Sequence, residues 1–272
     1  MQGWKQKGIM LPYTTYLIDL DGVIYRGNTL LPGAQEFIAW LETNNKKYLF
    51  LTNNSFATVE QILAKLQRLG IPADAAHLLS AGQAAVQHIA RRFPGGVVYV
   101  IGEQPLIGLV RSQHLVVADP RAEKADAVLV GLDRTFDYAK LNSAIRAIRA
   151  GAFFITINRD ALLPIEDGFI PGCGALAAAV EAGSGVTPEV VGKPEPLLLQ
   201  EAMNLLHSQP GETLMIGDSL DVDILAGKAA GTYTLLVLTG RSSRADIDRL
   251  HIVPDHVYQD LTALLQAENG AA

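Results

Sequence analysis

Three apolar runs in this chain stop abruptly at small polar or acidic residues: Tyr16-Leu17-Ile18 at Asp19, Tyr48–Leu51 at Thr52, and Leu214-Met215-Ile216 at Gly217-Asp218. A fourth, shorter run, Val190-Val191, ends before Gly192-Lys193-Pro194. A strand covered on both faces is apolar along its whole length, so its first polar residue marks the point where it leaves the sheet. In open parallel sheets ligands bind at that carboxyl edge. Asp19, Thr52, Lys193 and Asp218 are therefore expected to converge, although they lie far apart in sequence.

Between these runs the hydrophobic period changes. Further strand-like segments at Val97–Ile101, Ala127–Val130, Phe153–Ile157 and Thr234–Leu238 alternate with helix-like ones at Gly33–Asn44, Ala57–Leu69, Gln83–Arg92, Tyr138–Ala150, Glu195–Leu206 and Leu220–Ala230. Such alternation predicts an α/β fold of right-handed βαβ units, a doubly wound parallel sheet with helices on both faces. The stretch 82–185 holds strands and helices of its own, enough for a second α/β domain of roughly 100 residues. It interrupts the first domain, which is then made of 1–81 and 186–272.

Composition narrows the partners. A net charge of -6 over 272 residues offers no basic stripe for nucleic acid. No apolar run reaches the roughly 18 residues of a membrane span, and the N-terminus lacks the apolar stretch of a signal peptide. The single cysteine, Cys173, has no internal disulfide partner. These features together predict a cytoplasmic protein that binds neither nucleic acid nor membrane.

Asp19 and Asp21 are separated by one residue at a strand end, where positions i and i+2 point to the same side. Two carboxylates that close repel unless a proton or cation lies between them. Mg²⁺, a hard cation taking oxygen ligands, meets that need, with Asp218 as a third carboxylate. Gly22 lets the chain turn sharply beside a ligand. Thr52, Asn53, Asn54 and Ser55 bring hydroxyl, amide and main-chain donors to the expected start of a helix, a setting that suits an anion or a plain N-cap. The Lys193 ammonium, in a strand-to-helix loop fixed by Pro194, offsets negative charge there. Asp221 complements a helix dipole, whereas Asp223 is placed to orient Lys193 or a metal-bound water.

Other patterns fail on inspection. Asp19–Gly22 is followed by Val23-Ile24-Tyr25-Arg26, not by the further oxygen ligands of a calcium loop. Gly192-Lys193 lacks the upstream glycine and the following Ser or Thr of a nucleotide P-loop. Gly172-Cys173-Gly174 imitates a dinucleotide fingerprint, but Phe169-Ile170-Pro171 makes a poor preceding strand. The six histidines show no zinc spacing.

Taken in order, DLDGVIYRG, LTNNS, VGKPEP and GDSLDVDI resemble the four motifs of the haloacid dehalogenase superfamily. The likeness is to its 4-nitrophenylphosphatase, pyridoxal-phosphatase and N-acetylglucosamine-operon phosphatase branch, in which a large α/β cap is inserted between the second and third motifs. It spans Thr15 to about Thr239 and includes the cap segments GLDRTFDYAKL and INRDALLP, the latter continued by GFIPGCGALAAAVE. The resemblance implies a doubly wound, Rossmann-like core and a magnesium-dependent phosphatase acting on small phosphate esters such as sugar or polyol phosphates and 4-nitrophenyl phosphate. It assigns Asp19 as nucleophile and Asp21 as general acid and base, with Asp19, Asp218 and the main-chain carbonyl of Asp21 as metal ligands. Thr52, Asn53 and Asn54 would bind the phosphoryl group, with Lys193 offsetting its charge. It further implies pairing of two copies through the cap. Leu163 departs from the histidine that mammalian pyridoxal phosphatases carry just before the cap proline, which lowers the expectation for pyridoxal phosphate as substrate. A phospho-aspartyl signalling receiver and a catalytically silent sugar-phosphate-binding protein are the rival readings. The large insertion argues against the first, and the complete set Asp19, Asp21, Lys193, Asp218 against the second.

Overall fold

A computed structural model describes residues 12–53, 57–122, 124–165 and 168–269. In chain order the strands are β1 (Thr15–Asp19), β2 (Tyr25–Arg26), β3 (Thr29–Leu30), β4 (Lys47–Thr52), β5 (Leu78–Ser80), β6 (Val97–Ile101), β7 (Val116–Val117), β8 (Ala127–Val130), β9 (Phe153–Thr156), β10 (Leu162–Ile165), β11 (Gly168–Pro171), β12 (Glu189–Val190), β13 (Thr213–Gly217), β14 (Tyr233–Val237) and β15 (His256–Tyr258). The principal helices are α1 (Ala34–Thr43), α2 (Val59–Arg68), α3 (Ala81–Arg92), α4 (Gln104–Ser112), α5 (Tyr138–Arg149), α6 (Cys173–Ser184), α7 (Leu197–Leu206), α8 (Leu225–Ala230), α9 (Arg244–Leu250) and α10 (Leu261–Asn269).

The chain forms two compact units, the first comprising 1–51, 60–78 and 202–272, the second 52–59 and 79–201. In the first unit β15, β14, β13, β1, β4 and β5 are neighbours in that order. β1 pairs in parallel with β13 on one side and β4 on the other, placing Ile18 opposite Ile216 and Asp19 opposite Leu51. Because β1 is flanked on both sides and covered on both faces, every residue of Thr15–Asp19 is buried. α1 covers this sheet through Ala34, Phe37, Ile38 and Leu41, an i, i+3, i+4, i+7 stripe. Phe37 meets the Tyr16 ring edge-on, centroids 5.9 Å apart.

The second unit is built on a parallel sheet of its own, ordered β12, β9, β8, β6, β7. α3 opens with a capping box in which Ser80 and Gln83 each bond the other's main chain. A separate antiparallel hairpin, β10 with β11, sets Leu163 opposite Ile170. Phe169-Ile170-Pro171 thus lies in a strand, but in this hairpin and not in the parallel sheet that a dinucleotide fold requires. The expected helix Leu220–Ala230 begins instead with a wide turn over Leu220–Ile224 that tightens into α8. Among the described residues no helix is long and apolar enough to cross a membrane.

Candidate active site

The first unit gathers carboxylates at the carboxyl edge of its sheet. Asp19 is the last residue of β1, and Asp218 follows β13 directly. One carboxylate oxygen from each of Asp19, Asp218 and Asp223 lies within 4.8 Å of the others, and all three residues are buried. Asp223, expected only in support, stands inside this group at 1% exposure. Its Oδ2 accepts the main-chain N–H of both Asp218 and Ser219 at 3.2 Å. Asp218 in turn accepts the Arg241 N–H at 2.6 Å through Oδ2, and its main-chain carbonyl accepts the Ser242 N–H at 3.0 Å. The group is held by peptide dipoles from two loops.

The approach around Asp218 is close enough to require glycine. A Cβ at Gly22 or at Gly240 would run into the Asp218 carboxyl group, and Gly22 also sits in the left-handed region at φ 86°. The Gly22 carbonyl accepts the Thr239 hydroxyl at 2.6 Å, and its N–H donates to Tyr25 O at 2.8 Å. Asp21 is exposed, and its carboxylate is not one of the three in the group. Next to it the Lys65 Nζ lies 3.5 Å from the centre of the Tyr25 ring. Burial raises the Tyr25 hydroxyl pKa well above its ordinary value, and Asp21 and Asp19 push it further. Burial lowers the Lys65 ammonium pKa, with Asp21 partly opposing the shift.

Crowded buried carboxylates repel one another unless a cation or proton offsets them. An oxygen-only donor set fits a hard divalent cation such as Mg²⁺ and gives no preference to zinc or copper.

The remaining expected residues belong to the second unit. Lys193 is 4% exposed, and Thr52, the last residue of β4, is buried as well. The Asn53 side chain is engaged with the Lys193 main chain: Nδ2 donates to Lys193 O at 2.8 Å, and Oδ1 accepts the Lys193 N–H at 3.0 Å. Its amide therefore shapes the lysine loop. Asn54 lies outside the described residues. Leu163 is half-buried in β10. Cys173 is buried, and burial raises its thiol pKa, in keeping with an inert side chain.

Sequence reasoning missed the Gly240-Arg241-Ser242 loop, Lys65 and Asn158. A glycine following the apolar end of β14 was a usable signal for the first. A lysine on an amphipathic helix carries no comparable mark, and Asn158, although inside the cap segment INRDALLP, is not singled out there.

A profile described as haloacid dehalogenase-like hydrolase matches residues 16–115, and one described as HAD-hydrolase-like matches 190–264. An acid sugar phosphatase of Staphylococcus saprophyticus is 37% identical, over 94% of this chain and 98% of that one. The 5'-nucleotidase YutF of Bacillus subtilis is 40% identical, over 93% of this chain and 98% of its own length. Among solved structures, a point mutant of the thermostable p-nitrophenylphosphatase of Bacillus stearothermophilus superposes with a TM-score of 0.85 at 40% identity, covering 93% of this chain and 98% of that one. NagD of E. coli K-12 superposes with a TM-score of 0.83 at 32% identity, covering 92% and 97%.

Proposed function

The chain belongs to the haloacid dehalogenase-like hydrolases and is a phosphatase, and on that premise we propose that it hydrolyses small phosphate monoesters by passing the phosphoryl group through Asp19. The observation that carries this reading is the buried group Asp19, Asp218 and Asp223 at the carboxyl edge of a parallel sheet.

Asp19, Asp218 and Asp223, with the main-chain carbonyl of Asp21, are the residues that would hold Mg²⁺. When bound, the ion offsets the carboxylate charge and that of the phosphoryl oxygens. In the first step an Asp19 oxygen attacks phosphorus in line, the ester P–O bond breaks, and Asp21 gives its proton to the departing oxygen. In the second, water attacks the same phosphorus while Asp21 takes a proton from it, and the Asp19–phosphorus bond breaks to release phosphate. Thr52 contributes a hydroxyl and Asn53 its main chain to phosphoryl binding, and the Lys193 ammonium offsets the charge of the transferred group. Asn54 has the same role in this reading.

The names of the relatives point to sugar phosphates, 5'-nucleotides and 4-nitrophenyl phosphate as the substrates to try. The stretch 82–185 acts in this reading as a cap that selects among them, with Leu163 disfavouring pyridoxal phosphate, and it pairs two copies of the chain. A cytoplasmic location is in keeping with the single free cysteine. Phosphate release from 4-nitrophenyl phosphate, with acid-quench trapping of phosphorylated Asp19, tests the proposal. A chain that turns over while Asp19 stays unlabelled in the quench would overturn the covalent step.

A further inference from the structure

Gly172-Cys173-Gly174 and the buried Asn158 take no part in the chemistry above, yet they stand on the same hydrogen-bonded scaffold as Lys193, wholly within the second unit. Asn158 is 2% exposed and occupied at both ends of its amide. Oδ1 accepts the Asp160 N–H at 3.2 Å, and Nδ2 donates to the Asn53 carbonyl at 3.3 Å. Asn53 passes the constraint on, because its own amide makes the two bonds to the main chain of Lys193. From the other side the end of β9 grips the same segment: Val191 N–H donates to Thr156 O at 3.1 Å, and Gly192 N–H donates to Ile157 O at 2.7 Å. A Cβ on Gly192 would press on Ile157 O at 2.8 Å and on Asn53 Oδ1 at 2.9 Å, so the three corners are packed without slack.

The two glycines fix Asn158 from below. Gly172 N–H donates to Ala161 O at 2.8 Å and Gly174 N–H donates to Asp160 O at 2.9 Å, and side chains at either glycine would collide with the carbonyls of Asp160 and Arg159. No other residue type does both jobs of Asn158 at its reach: aspartate lacks the donor for Asn53, and serine is too short.

We propose that Asn158 is a positioning residue for the phosphatase reaction, acting through Asn53 to set the place of the Lys193 ammonium. The proposal rests on the phosphate-binding role given to Lys193, and its test separates the two.

The test uses the full chain with Mg²⁺ and reads the competitive inhibition constant of inorganic phosphate against 4-nitrophenyl phosphate. Asn158→Asp, Lys193→Ala and the double variant are compared, with thermal unfolding recorded for each. Asn158→Asp is expected to raise the inhibition constant about tenfold, the scale of one lost buried hydrogen bond. In the Lys193→Ala background the same change should shift it less than about twofold, because groups acting through one another are not additive. A merely structural role lowers the unfolding temperature and leaves the constant of the folded enzyme unmoved. Should Asn158→Asp not fold, Asn158→Ser removes the donor's reach without adding charge and carries the same comparison. A folded Asn158 variant with the wild-type constant overturns the proposal, as do equal shifts in both backgrounds. If Lys193→Ala itself leaves phosphate affinity unchanged, the role of Lys193 falls and the proposal falls with it.

Discussion

Replacing Gly240 by alanine probes the carboxylate group without touching any of its ligands. The nearest atoms to a Cβ built there all belong to the Asp218 side chain, closer than real contacts allow. Gly240 is not one of the glycines in the left-handed region, so its backbone accepts alanine and the clash is the whole perturbation. To make room, Asp218 must shift on the order of 1 Å and weaken the 2.6 Å bond that its Oδ2 accepts from the Arg241 N–H. A hydrogen bond to a charged group is worth about 1.5–3 kcal/mol, which corresponds to a loss of roughly 10- to 150-fold. Misplacement by about 1 Å costs on the order of 10²-fold, so the two routes agree. Steady-state hydrolysis of 4-nitrophenyl phosphate across a Mg²⁺ titration should show both a lower kcat and a higher Mg²⁺ midpoint. The control is Gly95→Ala, at φ 71° with open space around it, which should lose about 1 kcal/mol of stability to backbone strain and keep its kcat. If Gly240→Ala retains the wild-type Mg²⁺ midpoint and kcat, Asp218 is not holding the metal.

EDTA should abolish turnover and Mg²⁺ restore it, whereas excess Ca²⁺ should inhibit by drawing in extra ligands; full activity after thorough chelation would remove the proposed metal. Asp21→Asn should lose about 10²–10⁴-fold on alkyl phosphates, whose leaving oxygen needs a proton, yet release a burst of about one equivalent of 4-nitrophenolate in rapid-mixing absorbance. Equal slowing of both substrates without a burst would show that Asp21 holds the loop and not the proton. Glu201 is buried, which raises its carboxyl pKa, but bonds from His88 and Arg91 lower it more and leave it depressed. Its stabilisation is therefore present above the unfolded value of about 4.5 and fades as pH falls through the lower folded value. Glu201→Gln should cost about 1–3 kcal/mol near pH 7 and progressively less below pH 4.5 in urea titrations; a pH-independent gap would refute the ion-pair account.

The parts of this fold that are legible in the sequence are those where burial acts along a whole strand. Tyr16–Ile18, Leu49–Leu51 and Leu214–Ile216 are almost fully buried, so Asp19, Thr52 and Asp218 stand out as the first polar residues beyond them. Strands β5 and β15 span three residues each, too few for a period to register. Helix α6 is rich in alanine and lacks the polar face that defines an apolar stripe, so its periodicity is invisible. The pairing of the Asn53 amide with the Lys193 main chain is not legible in the sequence, because an amide serves a phosphate or a peptide equally well.

What escapes reading has a common cause. The side chains proposed to act at the site are located through the main chain: Asp218 by the Arg241 and Ser242 N–H groups, Asp223 by those of Asp218 and Ser219, Lys193 by the Asn53 amide. Main-chain N–H and C=O groups are present at nearly every residue, so the partners that exploit them leave no composition or spacing behind. Such anchoring also has a mechanistic consequence. Main-chain N–H groups hold the Asp218 and Asp223 carboxylates by Oδ2, and the Asn53 amide holds Lys193 by its main chain. The residues that impose the fixing, Gly240, Asn53 and Asn158, can therefore be changed with modest loss of stability and a larger loss of rate. That imbalance between unfolding temperature and kcat is the signature to look for in their variants.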